Sequence, residues 1–323
     1  MAVAGFGKAV RRALALSLVG WLFIPGALAA EIEPPDVYQS TMVIRGELER
    51  IREALGKPSD SRAEIDVHDA QPREVFFQAV TLWVKANRLC KETRRADMPE
   101  ISRVEIAPPG DVTPRDVWVM TRNALGRISC IKRELGLRGD VEPPARDPAK
   151  TPTDVFRSIV QANRQLNLLL EYPFTPSDVF SIVSLSNEFL AETLDAFAPA
   201  WRADEPPLPP HSEDKKPVDV SQQLMRCFSI IERIAAQSDL TMLELKPALD
   251  QSTVPGDVFD LASLVFSEVR FFATAAGVRK RYTLRVHAEK IPSDVYQRAL
   301  SLEQLLNQFE DAVQSNPAWH ATD

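Results

Sequence analysis

The stretch Pro152-Thr153-Asp154-Val155-Phe156 carries a phrase that occurs eight times in this chain of 323 residues: proline, any residue, an acid, valine and usually an aromatic residue. The other copies begin at Pro34, Pro72, Pro114, Pro176, Pro217, Pro255 and Pro292. The eight acids are Asp36, Glu74, Asp116, Asp154, Asp178, Asp219, Asp257 and Asp294. A phrase that returns at nearly fixed spacing indicates a repeat architecture.

Each copy has the composition of a helix N-terminus. Proline is favoured at the first helical position, because a backbone N–H there would have no acceptor within the helix. The acid two residues later meets the positive end of the helix dipole. At Thr113, Thr151 and Thr175 a hydroxyl residue precedes the proline and predicts a capping box. Apolar residues then recur every three or four positions, so each copy predicts a helix of about 20 residues, roughly 30 Å long.

The eight acids are therefore interpreted as structural helix-start residues and not as catalytic residues. A catalytic carboxylate pair needs two different environments to separate its pKa values. A cap, in contrast, is needed at every helix.

The spacing of the copies predicts two related halves. From proline to proline the steps are 38, 42, 38, 24, 41, 38 and 37 residues. Four copies of a unit of about 40 residues, followed by duplication of the whole group of four, would give this pattern. We therefore predict an all-α protein whose tandem helical repeats form two homologous four-helix bundle-like halves, residues 31–173 and 174–323.

The segments between the predicted helices are long and polar, and several contain short alternating stretches such as 102–106 and 282–286. Ten extended residues reach about 33 Å, enough to run back along a helix. Successive helices could thus begin at the same end of a half. The exception is the short connection Glu171–Phe174, which predicts a tight hairpin between the fourth and fifth helices.

Residues 1–30 have the features of a cleaved secretory signal: basic Lys8, Arg11 and Arg12, an apolar run over 13–24, and small residues at 27–30. We expect a periplasmic or secreted mature chain without a transmembrane segment. Removal of three basic residues leaves 35 basic and 45 acidic residues, a net charge of −10. A chain of this charge is not expected to bind nucleic acid.

The cysteines leave one question open. Cys90 lies 18 residues after its repeat proline and Cys130 lies 16 after its own. In parallel neighbouring helices the two sulfurs would lie at similar heights and could form a disulfide, which an exported protein can keep. In antiparallel helices they would lie too far apart. Cys227 is predicted to be a buried free thiol.

No sequence pattern predicts a catalytic, cofactor or metal site. The chain has neither a glycine-rich phosphate loop nor paired cysteines at zinc-ligand spacing. His68 and His287 are the best candidates for a metal ligand or an acid–base group, but solvated loop histidines are the favoured interpretation. The repeated aromatic residues are interpreted as core, with a pocket at the helix starts as the alternative.

Two functions remain from the sequence. The favoured prediction is an exported, non-enzymatic helical-repeat protein that acts as an interaction scaffold or accessory subunit for other envelope or periplasmic proteins. The alternative is a small-ligand-binding or sensory helical bundle with a pocket between its helices.

Overall fold

Every copy of the repeated phrase begins an α-helix. The computed structural model describes residues 31–62, 64–95, 112–198, 207–246, 253–280, 287, 289–316 and 319. Within these ranges the helices are α1 Pro34–Leu55, α2 Pro72–Thr93, α3 Pro114–Glu134, α4 Pro152–Leu169, α5 Pro176–Phe197, α6 Pro217–Gln237, α7 Pro255–Ala275 and α8 Pro292–Ser315. The predicted all-α class is confirmed.

All eight helices belong to one unit of the chain, Ile32–Asp323. The other unit is Met1–Glu31, of which the structure describes Glu31 alone. The predicted signal segment, 1–30, therefore lies outside the described residues. None of the described helices has the length and hydropathy needed to cross a bilayer.

The acid of the phrase caps its helix at all eight starts. Its carboxylate accepts a hydrogen bond from the backbone N–H of the residue before the proline, for example at 2.7 Å in Asp219 and at 3.0 Å in Asp294. This bond needs no polar side chain at the cap position. It therefore forms even where that position holds Val254 or Ile291. One of the helix's unpartnered N–H groups is satisfied in this way.

The helices pack in two sets of four. Helices α1 and α2 each pack against α3 and α4, while α5 and α6 each pack against α7 and α8. In each set the phrase prolines and valines of all four helices line one small cavity of about 20 Å³. The lining residues are Pro34, Val37, Pro72, Val75, Pro114, Val117, Pro152 and Val155 in the first set, and Pro176, Val179, Pro217, Val220, Pro255, Val258, Pro292 and Val295 in the second. The four helices of a set thus begin at the same end and run parallel.

Two of the connecting segments pair with each other. Strand β1, Asp66–His68, precedes α2, and strand β2, Glu244–Lys246, precedes α7. They form an antiparallel two-stranded sheet in which Val67 lies opposite Leu245. The alternating stretches at 102–106 and 282–286 lie outside the described residues.

The parallel arrangement of α2 and α3 brings two cysteines together. Cys90 and Cys130 form a disulfide with an S–S distance of 2.13 Å, which links the two helices covalently. Cys227 of α6 is a buried free cysteine, and burial raises the pKa of its thiol well above the usual range.

The helix-start acids predict a measurable effect on stability. Asp178 accepts a hydrogen bond from the Thr175 N–H at 2.7 Å and lies at the positive end of the α5 dipole. Replacing Asp178 by Ala should lower the free energy of unfolding by about 0.5–2 kcal/mol in a urea titration. Asp311→Ala, at an exposed site in the last turns of α8, is the control. Equal effects of the two changes would contradict the capping role.

Candidate functional site: the α2–α4 groove and its bound helix

The eight helix-start acids lie in two groups of four, one at the helix starts of each set. Seven of them retain contact with solvent, while Glu74 is completely buried. Glu74 is also the one glutamate among the eight. Its different environment identifies α2 as a helix whose outer face is covered.

The structure describes contacts of both candidate histidines. His68 is exposed, with Nε2 2.9 Å from Asp66 Oδ1. The His287 ring packs edge-on against Phe180 at a centroid distance of 5.0 Å. Among the described residues, no group of three or more His, Cys, Asp or Glu side chains is arranged to hold a metal ion.

In the two cavities that the structure describes at the helix starts, the lining residues are prolines and valines and not the repeated aromatic residues. Proline and valine fill these ends, and about 20 Å³ holds at most a water-sized guest. Phe156 and Phe259 are buried in the core. Others are covered by lysines: Lys150 over Tyr38 at 4.8 Å, Lys290 over Phe180 at 4.8 Å and Lys215 over Tyr296 at 4.4 Å.

The covered face of α2 forms a groove with α4, and α7 lies in this groove. Arg73, near the start of α2, contacts Glu268, near the end of α7, at 3.3 Å. Lys85, farther along α2, contacts Asp260, near the start of α7. The two helices are therefore antiparallel.

The start of α7 approaches α4 very closely. A Cβ atom at Gly256 would lie 2.5 Å from Asn167 Oδ1, so a larger residue there would displace the Asn167 side chain. The next residue, Asp257, accepts a hydrogen bond from Asn167 Nδ2 at 3.0 Å and one from Arg62 at 2.7 Å. The first turn of α7 is thus held by groups from the first set of helices and from the segment after α1.

A buried ion pair lies farther along the junction. Lys85 has no exposed surface, and its Nζ lies 2.6 Å from Oδ1 and 2.7 Å from Oδ2 of Asp260. Burial lowers the pKa of Lys85 and raises that of Asp260 to about 6. The pair therefore links α2 to α7 inside the junction.

A second charged cluster lies at the other end of the junction. Arg73 lies 3.1 Å from Glu74 Oε1 and 3.3 Å from Glu268 Oε2. Glu74 also accepts a hydrogen bond from the Leu243 N–H at 3.1 Å, just before β2. Burial, together with the charge of Glu268, raises the pKa of Glu74 to about 8, and burial raises that of Glu268.

The sequence reasoning missed Lys85, Asp260 and Glu268. A weak signal for them was present, because each charge interrupts an apolar stretch of its helix. Apolar residues occur nearly all round α7, which is typical of a helix that is buried on every side.

No protein-family model, curated protein or solved structure matches this chain.

The buried Glu74 predicts a pH dependence of stability. Its folded-state pKa of about 8 lies above the ordinary value of 4.5, so between these pH values the folded chain binds a proton that the unfolded chain does not. The free energy of unfolding should therefore fall as the pH rises through this window. Glu74→Gln, which keeps the cap acceptor but cannot ionise, should reduce that fall in denaturant titrations at pH 6 and pH 9.

Asp116→Asn is the matched control, because the Thr113 hydroxyl holds the pKa of Asp116 below its usual range. The difference between this variant and the wild type should stay constant from pH 6 to pH 9. If the stability difference between Glu74→Gln and the wild type were also independent of pH, the raised pKa of Glu74 would be refuted.

The buried ion pair predicts non-additive substitutions. Lys85→Ile leaves Asp260 buried without its partner and should cost about 3–5 kcal/mol. The double variant K85I/D260V removes both charges and should recover most of that loss in the same unfolding titration. Lys280→Met, which breaks the exposed pair with Glu192, should change stability by less than about 1 kcal/mol. Additive effects of K85I and D260V would show that the two groups do not interact.

Proposed function

We propose that this protein is an exported, non-enzymatic scaffold or accessory subunit that binds other envelope proteins, built from two homologous four-helix halves, residues 31–173 and 174–323. One observation carries this proposal. The α2–α4 groove holds a complete helix through buried complementary charges, so the repeat unit supplies a helix-binding surface.

Contacts that recur at equivalent repeat positions support the duplication. The lysine two residues before the proline of α4 covers the aromatic residue of α1, and the corresponding lysine before α8 covers that of α5. Gln39 donates a hydrogen bond to the Pro144 carbonyl at 2.6 Å. Gln297, at the same position in the repeat of α8, donates one to the Pro209 carbonyl at 2.6 Å, which supports the repeat unit itself, because the counterpart of Gln39 in the second half is Ser181.

The second residue of the phrase, which varies between copies, also makes a contact that recurs. In three copies a hydroxyl there accepts a hydrogen bond from the backbone N–H two residues before the proline of a neighbouring helix. These bonds are Ala70 to Thr153 at 3.1 Å, Lys290 to Ser177 at 3.0 Å and Lys215 to Ser293 at 3.2 Å. The extended connectors are thus attached to the helix starts in the same manner in both proposed halves.

Two further observations favour a binding role for protein surfaces. The buried charged groups of the junction pair with one another, as in a packed interface. The helix-start ends hold cavities of about 20 Å³, far below the several hundred Å³ of typical ligand pockets. The ligand-binding alternative therefore gains no support from these ends.

Export is supported by the signal-like residues 1–30 and by the disulfide. Cys90 and Cys130 are bonded across two helices. Such bonds persist in oxidising compartments such as the periplasm.

The scaffold proposal predicts specific partners in an envelope extract. The immobilised protein should retain envelope proteins that excess soluble protein displaces, whereas an unrelated exported helical protein should not retain them. Quantitative mass spectrometry of the bound fraction measures this. The proposal fails if no retained protein is displaced.

A thermal-shift screen against small molecules tests the alternative in parallel. The scaffold proposal predicts no saturable rise in Tm. A compound that raised Tm in proportion to its occupancy would favour the ligand-binding bundle.

A further inference from the structure

The two sets of helices differ in what they contact outside their own set. Helix α7 packs against α5 and α6 and also against α2 and α4. Helix α3, which holds the same place in the first set, packs against α1 and α2, and no other described helix packs against it to a comparable extent. The groove between α6 and α8 corresponds to the α2–α4 groove that holds α7. It is open, with a volume of about 370 Å³.

The α6–α8 groove keeps part of the framework of the occupied one. In the α2–α4 groove, Asn163 Nδ2 donates to Gln78 Oε1 at 3.3 Å. At the same repeat positions, Gln223 Nε2 donates to Glu303 Oε2 at 2.6 Å. Asn307 lines the open groove. It occupies the same repeat position as Asn167, which lies beside Gly256 in the occupied groove.

At one pair of positions, α3 and the open groove carry apolar residues where α7 and its groove carry charges. Counted from the repeat prolines, Ile230 in the groove corresponds to Lys85, and Val119 on α3 corresponds to Asp260. Val119 is 44% accessible, while Ile230, which lines the groove, is 4% accessible. If α3 occupied this groove, the two apolar residues would take the place of the buried ion pair.

At another pair of equivalent positions, the sign of the charge on the docking helix is reversed. Arg127, exposed on α3, holds the position of Glu268. Asp219 of α6 holds the position of Glu74. Where the occupied groove brings two carboxylates together, the open groove and α3 would bring an arginine and an aspartate together.

Gly126 points to the same surface. Three glycines lie within the described helices, and at two of them a Cβ would press on a neighbour: Gly46 on Val141 at 2.9 Å, and Gly256 on Asn167 at 2.5 Å. At Gly126, on the exposed face of α3, nothing lies within 4 Å. A glycine weakens a helix interior relative to alanine. The open space beside Gly126 leaves room for close approach by another backbone.

We propose that α3 of one molecule docks into the α6–α8 groove of a second copy, as α7 docks into the α2–α4 groove within the chain. This inference rests on the duplication in the proposed function. Arg115 occupies the position of Gly256, so the first turn of the docked helix lies farther from Asn307 than α7 lies from Asn167. The contact joins two different surfaces, so each added copy leaves one groove and one α3 face free, and assembly continues until a ring closes.

Sedimentation velocity over a wide concentration range tests this inference. The wild type should show concentration-dependent self-association. Val119→Asp should weaken it by about tenfold or more, because the carboxylate would be buried against Ile230 without a partner. Gly126→Leu should weaken it similarly by blocking close approach. Leu208→Asp in an exposed loop and Ala54→Leu on exposed α1 are the matched controls and should associate like the wild type.

Two combinations test the geometry. The double variant V119D/I230K places an acid and a base at the positions of Asp260 and Lys85, and should regain association lost in each single variant. A mixture of the V119D and I230K single variants should also assemble, because the unaltered α3 of I230K meets the unaltered groove of V119D and the altered α3 of V119D meets the altered groove of I230K. Circular dichroism checks that each variant is folded. If Ile230→Lys unfolds the chain, G126L replaces it as the second test of docking.

A wild type that stays monomeric at all concentrations, or a G126L variant that associates like the wild type, would overturn the docking. Either result would leave the scaffold proposal standing if envelope partners are still retained and displaced. Conversely, self-association without such partners would count against the scaffold proposal alone.

Discussion

Parallel packing of four helix starts is the constraint on which the rest of the structure depends. Each set of helices brings four positive dipole ends together, an arrangement that is unfavourable without compensation. The acid of each repeat supplies a negative charge at that point and accepts the cap N–H. The valine that follows fills the centre of the end. One short phrase thus provides the charge, the hydrogen bond and the apolar contact that a parallel bundle requires.

Parallel packing also dictates the connectors. A chain that begins each helix at the same end must return along the bundle in an extended form. These returns contribute to the junction, because β1 pairs with β2 and the Leu243 N–H reaches Glu74. The junction between α2 and α7 therefore depends on the connectors as well as on the helix faces.

The local parts of the fold could be predicted from the sequence, and the long-range contacts could not. Proline, acid and apolar period mark where helices begin because these signals act within one turn. The burial of Glu74 depends on which outer face α7 covers, and no local pattern encodes that. The sequence also does not tell which part of the core each repeated aromatic residue enters, because successive residues turn about 100° around a helix. Val155 therefore faces the centre of the end while its neighbour Phe156 packs elsewhere in the core.

The buried ion pair between Lys85 and Asp260 matches α7 to the α2–α4 groove. If α3 entered the α2–α4 groove, Val119 would leave Lys85 without a counter-charge. If α7 entered the α6–α8 groove, Asp260 would be buried against Ile230. Either exchange leaves a desolvated charge unpaired and costs several kcal/mol. Covalent linkage of the two sets keeps α7 at high effective concentration beside its own groove. A charged junction is therefore tolerable within the chain.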